Sequence, residues 1–425
     1  MSNNIFSIFK LTQPSKTINQ NIEKSIRKTD YILTYLLIAF SGIPFFTADN
    51  YIWPIAYILI AGLYIMKRGI KLDKFFILYM SLIVLIFVIQ FFKFNFFDTK
   101  GLLTVLFKFS FPYLALVLIG RSFLTTYVRV IYIIVIISFL FYVPSIIVPG
   151  FENYLIDQIA PIFKQQPRLS SFYAYAPNFI LYTVNPHGGV FYRNSGPFWE
   201  PGGYVCFLIL ALIFNIIINR TIFKRKNLIF FIAIITTFST TGYIALIFLV
   251  IGYLIIQRKL INYLILLPVF VIISYISFTT LGFLKDKIIL NYEKTITSNI
   301  ETTARTRFVS TILDLKDIKD NPIIGKGRSF KTRHGISASE FSYLEHRNNG
   351  ITGLTVRYGI PFFLFYFSLI FKSFKDILTI QMLPRIFAYF ILMTIILLGS
   401  SQGLFEKPIF VGLTYLSLIL SQKME

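Results

Sequence analysis

A 425-residue chain that is 56% hydrophobic and only 14% charged is too apolar for a water-soluble globule. Apolar runs of spanning length recur along it, which indicates a polytopic helical membrane protein and excludes a β-barrel. The net charge of +22 would suggest nucleic acid in a soluble protein, but here much of it lies in short loops between apolar runs, where it sets orientation. A single cysteine, Cys206, excludes an intrachain disulfide, and with only three histidines beside it no Cys/His metal site can form.

Residues 1–30 are polar and basic, and no cleavable signal peptide is expected. Five spans follow in 31–149, at about 31–47, 51–66, 75–92, 101–120 and 125–149. A first long loop covers 150–200. Four spans lie in 201–280, at about 201–219, 228–240, 242–256 and 262–280. A second long loop covers 281–350, and three spans complete 351–425, at about 351–371, 386–400 and 409–421. The expected fold is therefore all-α, with about 12 transmembrane helices and two long outer loops. With a cytoplasmic amino terminus every short inner loop is basic, both termini are inside, and both long loops face out. Residues 228–256 admit a single long helix, but Ser239-Thr240-Thr241-Gly242 and the charge rule favour two short spans. Within the second loop, 304–320 reads as an amphipathic helix with Phe308, Val309, Ile312, Leu315 and Ile318 on its apolar face.

The polar residues at these boundaries are the candidates for chemistry. Arg193, Arg305, Arg307, Arg328, Arg333 and Arg347 all fall on the outer loops, and guanidinium offers a planar fork of donors that matches phosphate oxygens. Solvated loop arginines or headgroup contacts are the plainer alternative. Glu200 precedes Pro201 at a helix start, either as a favourably placed carboxylate or as a general base or arginine partner. His346 is either structural or a base toward an attacking hydroxyl. Lys108 lies about two turns inside its span, either snorkelling or facing a partner. Gly325-Lys326-Gly327-Arg328 lacks phosphate-loop spacing and is no nucleotide site, though its turn would let an arginine approach a substrate. His187 and His334 have no distinctive context.

In order and topology, residues 190–410 resemble the O-antigen polymerase and ligase superfamily of bacterial envelope glycosyltransferases. The resemblance rests on Arg193-Asn194-Ser195-Gly196 with Phe198-Trp199-Glu200-Pro201-Gly202, on the break at Ser239–Gly242, on Arg305 through Asn321-Pro322-Ile323-Ile324-Gly325 to Gly327, and on His346 through Tyr358-Gly359-Ile360. Arg347 separates His346 from Asn348, where the family often has histidine and asparagine adjacent, and the break lacks the Ser-Arg pair common in ligases. Together with Phe198-Trp199-Glu200-Pro201-Gly202, the latter departure makes the chain resemble a polymerase of repeat units more than a ligase.

The resemblance implies a protein of the bacterial inner membrane that takes a glycan on undecaprenyl diphosphate as donor. A sugar hydroxyl of another lipid-linked repeat attacks the anomeric carbon and inverts it. No carboxylate cluster marks the outer loops, so arginines rather than a metal would stabilise the leaving diphosphate: Arg193 and Arg305 first, Arg307 and Arg328 next. His346 or Glu200 would serve as base, and Phe198, Trp199, Tyr173 and Tyr175 would stack on sugar faces. No cofactor or metal is expected. The implied partners are lipid-linked glycans, membrane lipids, and a chain-length regulator and flippase of the same pathway. A ligase and a lipid-linked glycan transporter are the alternatives.

Overall fold

The computed structural model describes residues 25–48, 52–163, 177–185, 192–257, 307–334 and 349–421. Among these residues the secondary structure is helical, with one isolated bridge between Asn178 and Thr183. Five helical stretches are long and apolar enough to cross a membrane: Lys74–Phe94, Thr99–Ile147, Pro201–Asn219, Thr240–Gln257 and Gly350–Ile380. The second of these holds two helices, because Gly120 turns the chain at φ 68°. In chain order the longer helices are α1 (Lys28–Gly42), α2 (Ile52–Arg68), α3 (Lys74–Phe94), α4 (Thr99–Ile119), α5 (Phe123–Ile147), α6 (Pro201–Asn219), α7 (Arg225–Thr236), α8 (Thr240–Gln257), α9 (Arg307–Asp320), α10 (Gly350–Ile380) and α11 (Phe387–Ser401). A last helical stretch, α12 (Pro408–Gly412), continues through a tight turn into α13 (Leu416–Ser421). The expected span at 262–280 lies outside the described residues.

Helix α6 forms the centre. It is apolar all round, and every residue from Gly203 to Ile217 is buried, as such a helix requires. Pro201 occupies its first turn, where the missing N–H costs no hydrogen bond. Helices α5, α7 and α8 pack around it. At the periphery α2 and α3 expose Ile55, Ile58, Leu59, Leu78 and Phe92, the kind of surface lipid would cover.

The stretch 228–256 is two helices. The chain turns at Thr237–Ser239, with Phe238 at φ 45°, and the Ser239 hydroxyl accepts from Gly242 N at 3.3 Å to cap α8. At the far end of α8, Gln257 donates to Arg220 O at 3.3 Å beside the start of α7, so the pair runs as an antiparallel hairpin.

Contacts sort the helix ends into two groups. At one end Trp199 lies against Gly42, Asn194 N donates to Thr236 O at 2.9 Å, and Gln90 near the end of α3 donates to Ile324 O at 2.6 Å. At the opposite end Arg27 donates to Leu118 O at 2.8 Å, and Arg220 donates to Gln381 O.

One expectation is corrected. The amphipathic helix exists as α9, but its acidic face is the buried one. Asp314 is 0% exposed, whereas Ile312 and Leu315 are 40% and 55% exposed. The reason is pairing: Thr352 donates to Asp314, and Lys326 Nζ lies 2.7 Å from Asp317 Oδ1. Asn349 completes the seam by donating to Thr311 Oγ1 at 2.9 Å while capping α10. A buried carboxylate with such partners wins over the apolar stripe.

Candidate functional site: a cationic cluster around Glu406

The site begins with a break in α10. Pro361 has no N–H to give Arg357 O, the carbonyl four residues earlier. Gln90 supplies that hydrogen bond instead, its Nε2 lying 2.8 Å from Arg357 O. One residue earlier, Val356 O accepts from Lys326 N at 2.7 Å, and Ile360 N donates to Pro322 O at 2.7 Å. The segment 321–328 thus replaces the helix's own hydrogen bonds at the break. Gly359 makes this approach possible. It adopts φ 85° and ψ 168°, and a Cβ there would lie 1.9 Å from Ile323 O. Two sequence motifs far apart in the chain, Asn321–Arg328 and Tyr358–Ile360, are one structural unit.

This unit presents two arginines to one carboxylate. Arg357 Nη1 lies 2.6 Å and Arg328 Nη1 3.3 Å from Glu406 Oε2, and Tyr358 OH donates to Glu406 Oε1 at 2.8 Å. Glu406 is 8% exposed. Burial works to raise its carboxyl, but Arg328, Arg357 and Lys108 outweigh burial and hold it well below the ordinary carboxylate range. Arg328 Nη1 is close enough for ionic attraction but makes no hydrogen bond to any described residue, although that nitrogen is buried. An unsatisfied buried guanidinium N–H is costly unless an acceptor arrives. Lys326 is used otherwise: Asp317 and Asp320 hold it at 2.7 and 3.1 Å and raise its pKa against the effect of burial.

The loop between α11 and α12 joins this cluster to a second wall. Gln402 donates to Glu200 Oε1 at the start of α6, four residues before Glu406. Glu200 is extended (φ −165°) and makes no side-chain cap to its own helix. Beside it the Trp199 ring sits against Gly203, where a Cβ would lie 2.6 Å from the indole, and Lys407 Nζ stands 4.8 Å from the ring centroid.

The sequence candidates separate accordingly. Arg328, Glu200 and Trp199 are gathered here. Arg193 is held elsewhere: its Nε donates to Thr237 O at 3.0 Å, which sets the cation at the carboxyl end of α7 and braces the turn before α8. Phe198 is 0% exposed and stacks on Phe207 at 4.1 Å and Tyr204 at 5.5 Å, so its ring faces the protein's own aromatics rather than a sugar. His346, Arg305, Tyr173 and Tyr175 lie outside the described residues, as does the side chain of Arg307 at the start of α9.

Sequence reasoning missed Glu406, Arg357, Gln402 and Gln90. A signal existed for Arg357, an ionisable residue in an apolar run like Lys108. Glu406 and Gln402 sit in a short turn that looks like a plain connection between spans. No family model, curated protein or solved structure matches the chain.

Proposed function

We propose that this protein is a glycosyltransferase that polymerises lipid-linked oligosaccharide repeats at the outer face of the bacterial inner membrane. The carrying observation is the cationic cluster, in which Lys108, Arg328 and Arg357 surround Glu406 and one buried guanidinium N–H lacks an acceptor among the described residues. A diphosphate leaving group offers further acceptor oxygens to this cluster, beginning with the Arg328 Nη1 that makes no hydrogen bond to any described residue. In this reading the donor is a glycan on undecaprenyl diphosphate, the chain has about 12 spans, and the cluster belongs to the outer side. A sugar hydroxyl of the acceptor attacks the anomeric carbon from the face opposite the diphosphate, the C1–O bond to phosphate breaks, and the configuration inverts.

Arg328 and Arg357 take the charge that develops on the departing diphosphate, and Lys108 adds to the field. Glu406 is the resting counter-ion, and its tight pairing makes it a poor base. Glu200, oriented by the Gln402 amide, receives the acceptor proton, with His346 as the other candidate base. Trp199 offers an aromatic edge for a sugar beside Glu200. Arg193 acts through position, by fixing the α7–α8 turn, and Arg305 and Arg307 remain further diphosphate ligands of this proposal.

A second reading has one observation in its favour. Broken helices with charges at the break are common in transporters, and α10 is broken beside Arg357. A ligase would share the diphosphate chemistry and differ in acceptor.

The test is the glycan profile of a deletion strain complemented with Arg328→Ala or Arg357→Ala, at matched protein levels. A polymerase defect leaves a single repeat attached to its carrier. A ligase defect leaves none attached, and a transporter defect stops export. Wild-type chain length in both variants would sink the diphosphate assignment.

A further inference from the structure

The cationic cluster already contains an anion. Arg328 and Arg357 reach the same oxygen of Glu406, Oε2, at 3.3 and 2.6 Å, and the Tyr358 hydroxyl donates to the other at 2.8 Å. Lys108 adds a third cation to the field. Asp314, the next acid near Arg357, is taken up by Thr352. Cations brought together in a desolvated place repel one another unless a counter-charge is present. Glu406 supplies that charge but matches the donors incompletely: the buried Arg328 Nη1 is left without a hydrogen bond among the described residues.

The loop that carries Glu406 is fixed. Leu404 and Phe405 are buried, Phe405 O accepts from Tyr366 OH at 3.0 Å, and Ile409 N donates to Ser41 Oγ at 2.8 Å. The Glu406 side chain is what can swing. An incoming anion with more charge and more oxygens than a carboxylate competes for the same donors. We infer that Glu406 is a displaceable counter-ion: it yields Arg328 and Arg357 to a diphosphate and, by competing for them, sets how tightly that diphosphate is held and how fast it leaves. The inference rests on the diphosphate reading of the cluster and gives product release a physical basis. When the C1–O bond to phosphate breaks, the electron pair stays on the phosphate oxygen, so the leaving diphosphate carries one more ionisable oxygen than the bound donor. A cluster of bare cations would hold that product more tightly than the donor and stall. A carboxylate tethered beside it refills the cluster as the product departs. By linkage, the affinity that Glu406 takes from the ligand equals what the ligand takes from the pairing of Glu406.

The experiment measures binding of inorganic diphosphate to the purified full-length protein, in neutral detergent and metal-free buffer, by calorimetry well below the unfolding temperature. Glu406→Gln should bind about tenfold more tightly than the parent, a coupling of ordinary size, and release the ligand more slowly. Tyr358→Phe keeps the counter-charge and removes only the hydroxyl at Oε1, so it should bind about threefold more tightly. Asp320→Asn removes the same charge from a side chain that is 51% exposed on α9, and it should match the parent. A carboxylate that only scaffolds the arginines predicts the opposite sign. Unchanged or weaker binding in Glu406→Gln, or in Tyr358→Phe where Glu406→Gln folds too poorly to purify, would overturn the inference, as would an equal gain in Asp320→Asn. Arg328→Ala separates this failure from that of the reading beneath it. A parent that binds no diphosphate, or an Arg328→Ala variant that binds it as well as the parent, sinks the diphosphate reading and the counter-ion role together. Binding that is lost in Arg328→Ala but not strengthened in Glu406→Gln sinks the counter-ion role alone.

Discussion

Both ends of the bundle gather arginine and lysine, but they hold them by different means. At one end Arg328 and Arg357 close on a buried carboxylate, and their backbone is fixed by hydrogen bonds taken over from a broken helix. At the other, Lys224 and Arg225 are exposed around an open hollow, where cations contact a phenol and an aromatic ring. Net charge alone does not distinguish these arrangements. Burial and pre-set geometry do: a desolvated cation fixed in place acts strongly on a developing charge, whereas an exposed one is screened. The comparison predicts that the first end is intolerant of substitution and the second is permissive for folding.

The largest effect should come from Glu406→Gln. It leaves Arg328 and Arg357 partly buried without their shared counter-charge, a loss of the kind that costs about 3–5 kcal/mol. The unfolding temperature should fall sharply, and inorganic diphosphate should restore part of it by occupying the vacated position. Exposed Lys224→Gln at the other end should stay within about 0.5 kcal/mol of the parent. Similar losses in both variants would erase the distinction between the ends.

Gly359→Ala comes next. The new Cβ would strike Ile323 O, and the φ 85°, ψ 168° conformation is nearly closed to residues other than glycine. A cost of about 1–3 kcal/mol is expected from backbone strain, with the clash against Ile323 O added to it. Hydrogen exchange should show protection lost together in 321–328 and 356–361, because the two segments share hydrogen bonds. Loss confined to α10 would mean that the loop does not brace the break.

The legible and illegible parts of the chain follow the same division. Helix α6 was readable to the residue, since Pro201 opens it and an unbroken apolar run continues to Asn219. The α7–α8 break was readable from hydroxyl residues and charge placement. The orientation of α9 was not, because an apolar stripe in a sequence does not reveal that Thr352 and Lys326 will claim its aspartates. Glu406 was invisible for a related reason: its partners are 49 and 78 residues away, and no local pattern encodes that meeting. Arg193 attracted attention through its Gly/Pro-rich neighbourhood, yet the rigid setting serves a helix end.

A smaller effect is expected from Gln90→Leu. The side chain donates to two main-chain carbonyls: Arg357 O, which Pro361 leaves without a helix partner, and Ile324 O in the segment that braces the break. Each unsatisfied buried carbonyl costs about 1–3 kcal/mol, although water reaching the loop would lessen it. Gln90→Glu should be no better, since a carboxylate accepts and cannot donate. Stability measured for both variants against Gln90→Asn would show whether donation to both carbonyls matters or packing alone.

The smallest effect is the dependence on pH, and here the direction is the test. The folded Glu406 carboxyl is held below the ordinary range, so its contribution is present above the unfolded value of about 4.3 and is lost as pH falls through the folded one. Arg328 and Arg357 stay charged throughout, Lys108 stands in the same field, and the Tyr358 hydroxyl donates to the carboxylate. Between pH 8 and 5 the Glu406 carboxyl should therefore add no slope of its own to the unfolding temperature. In stronger acid, protonation of Glu406 would leave its arginines facing one another, and exchange should accelerate in 321–328 before it does around Arg129 in α5. The reverse order, with the α5 end loosening first, would show that the carboxylate is not what holds the cationic cluster together.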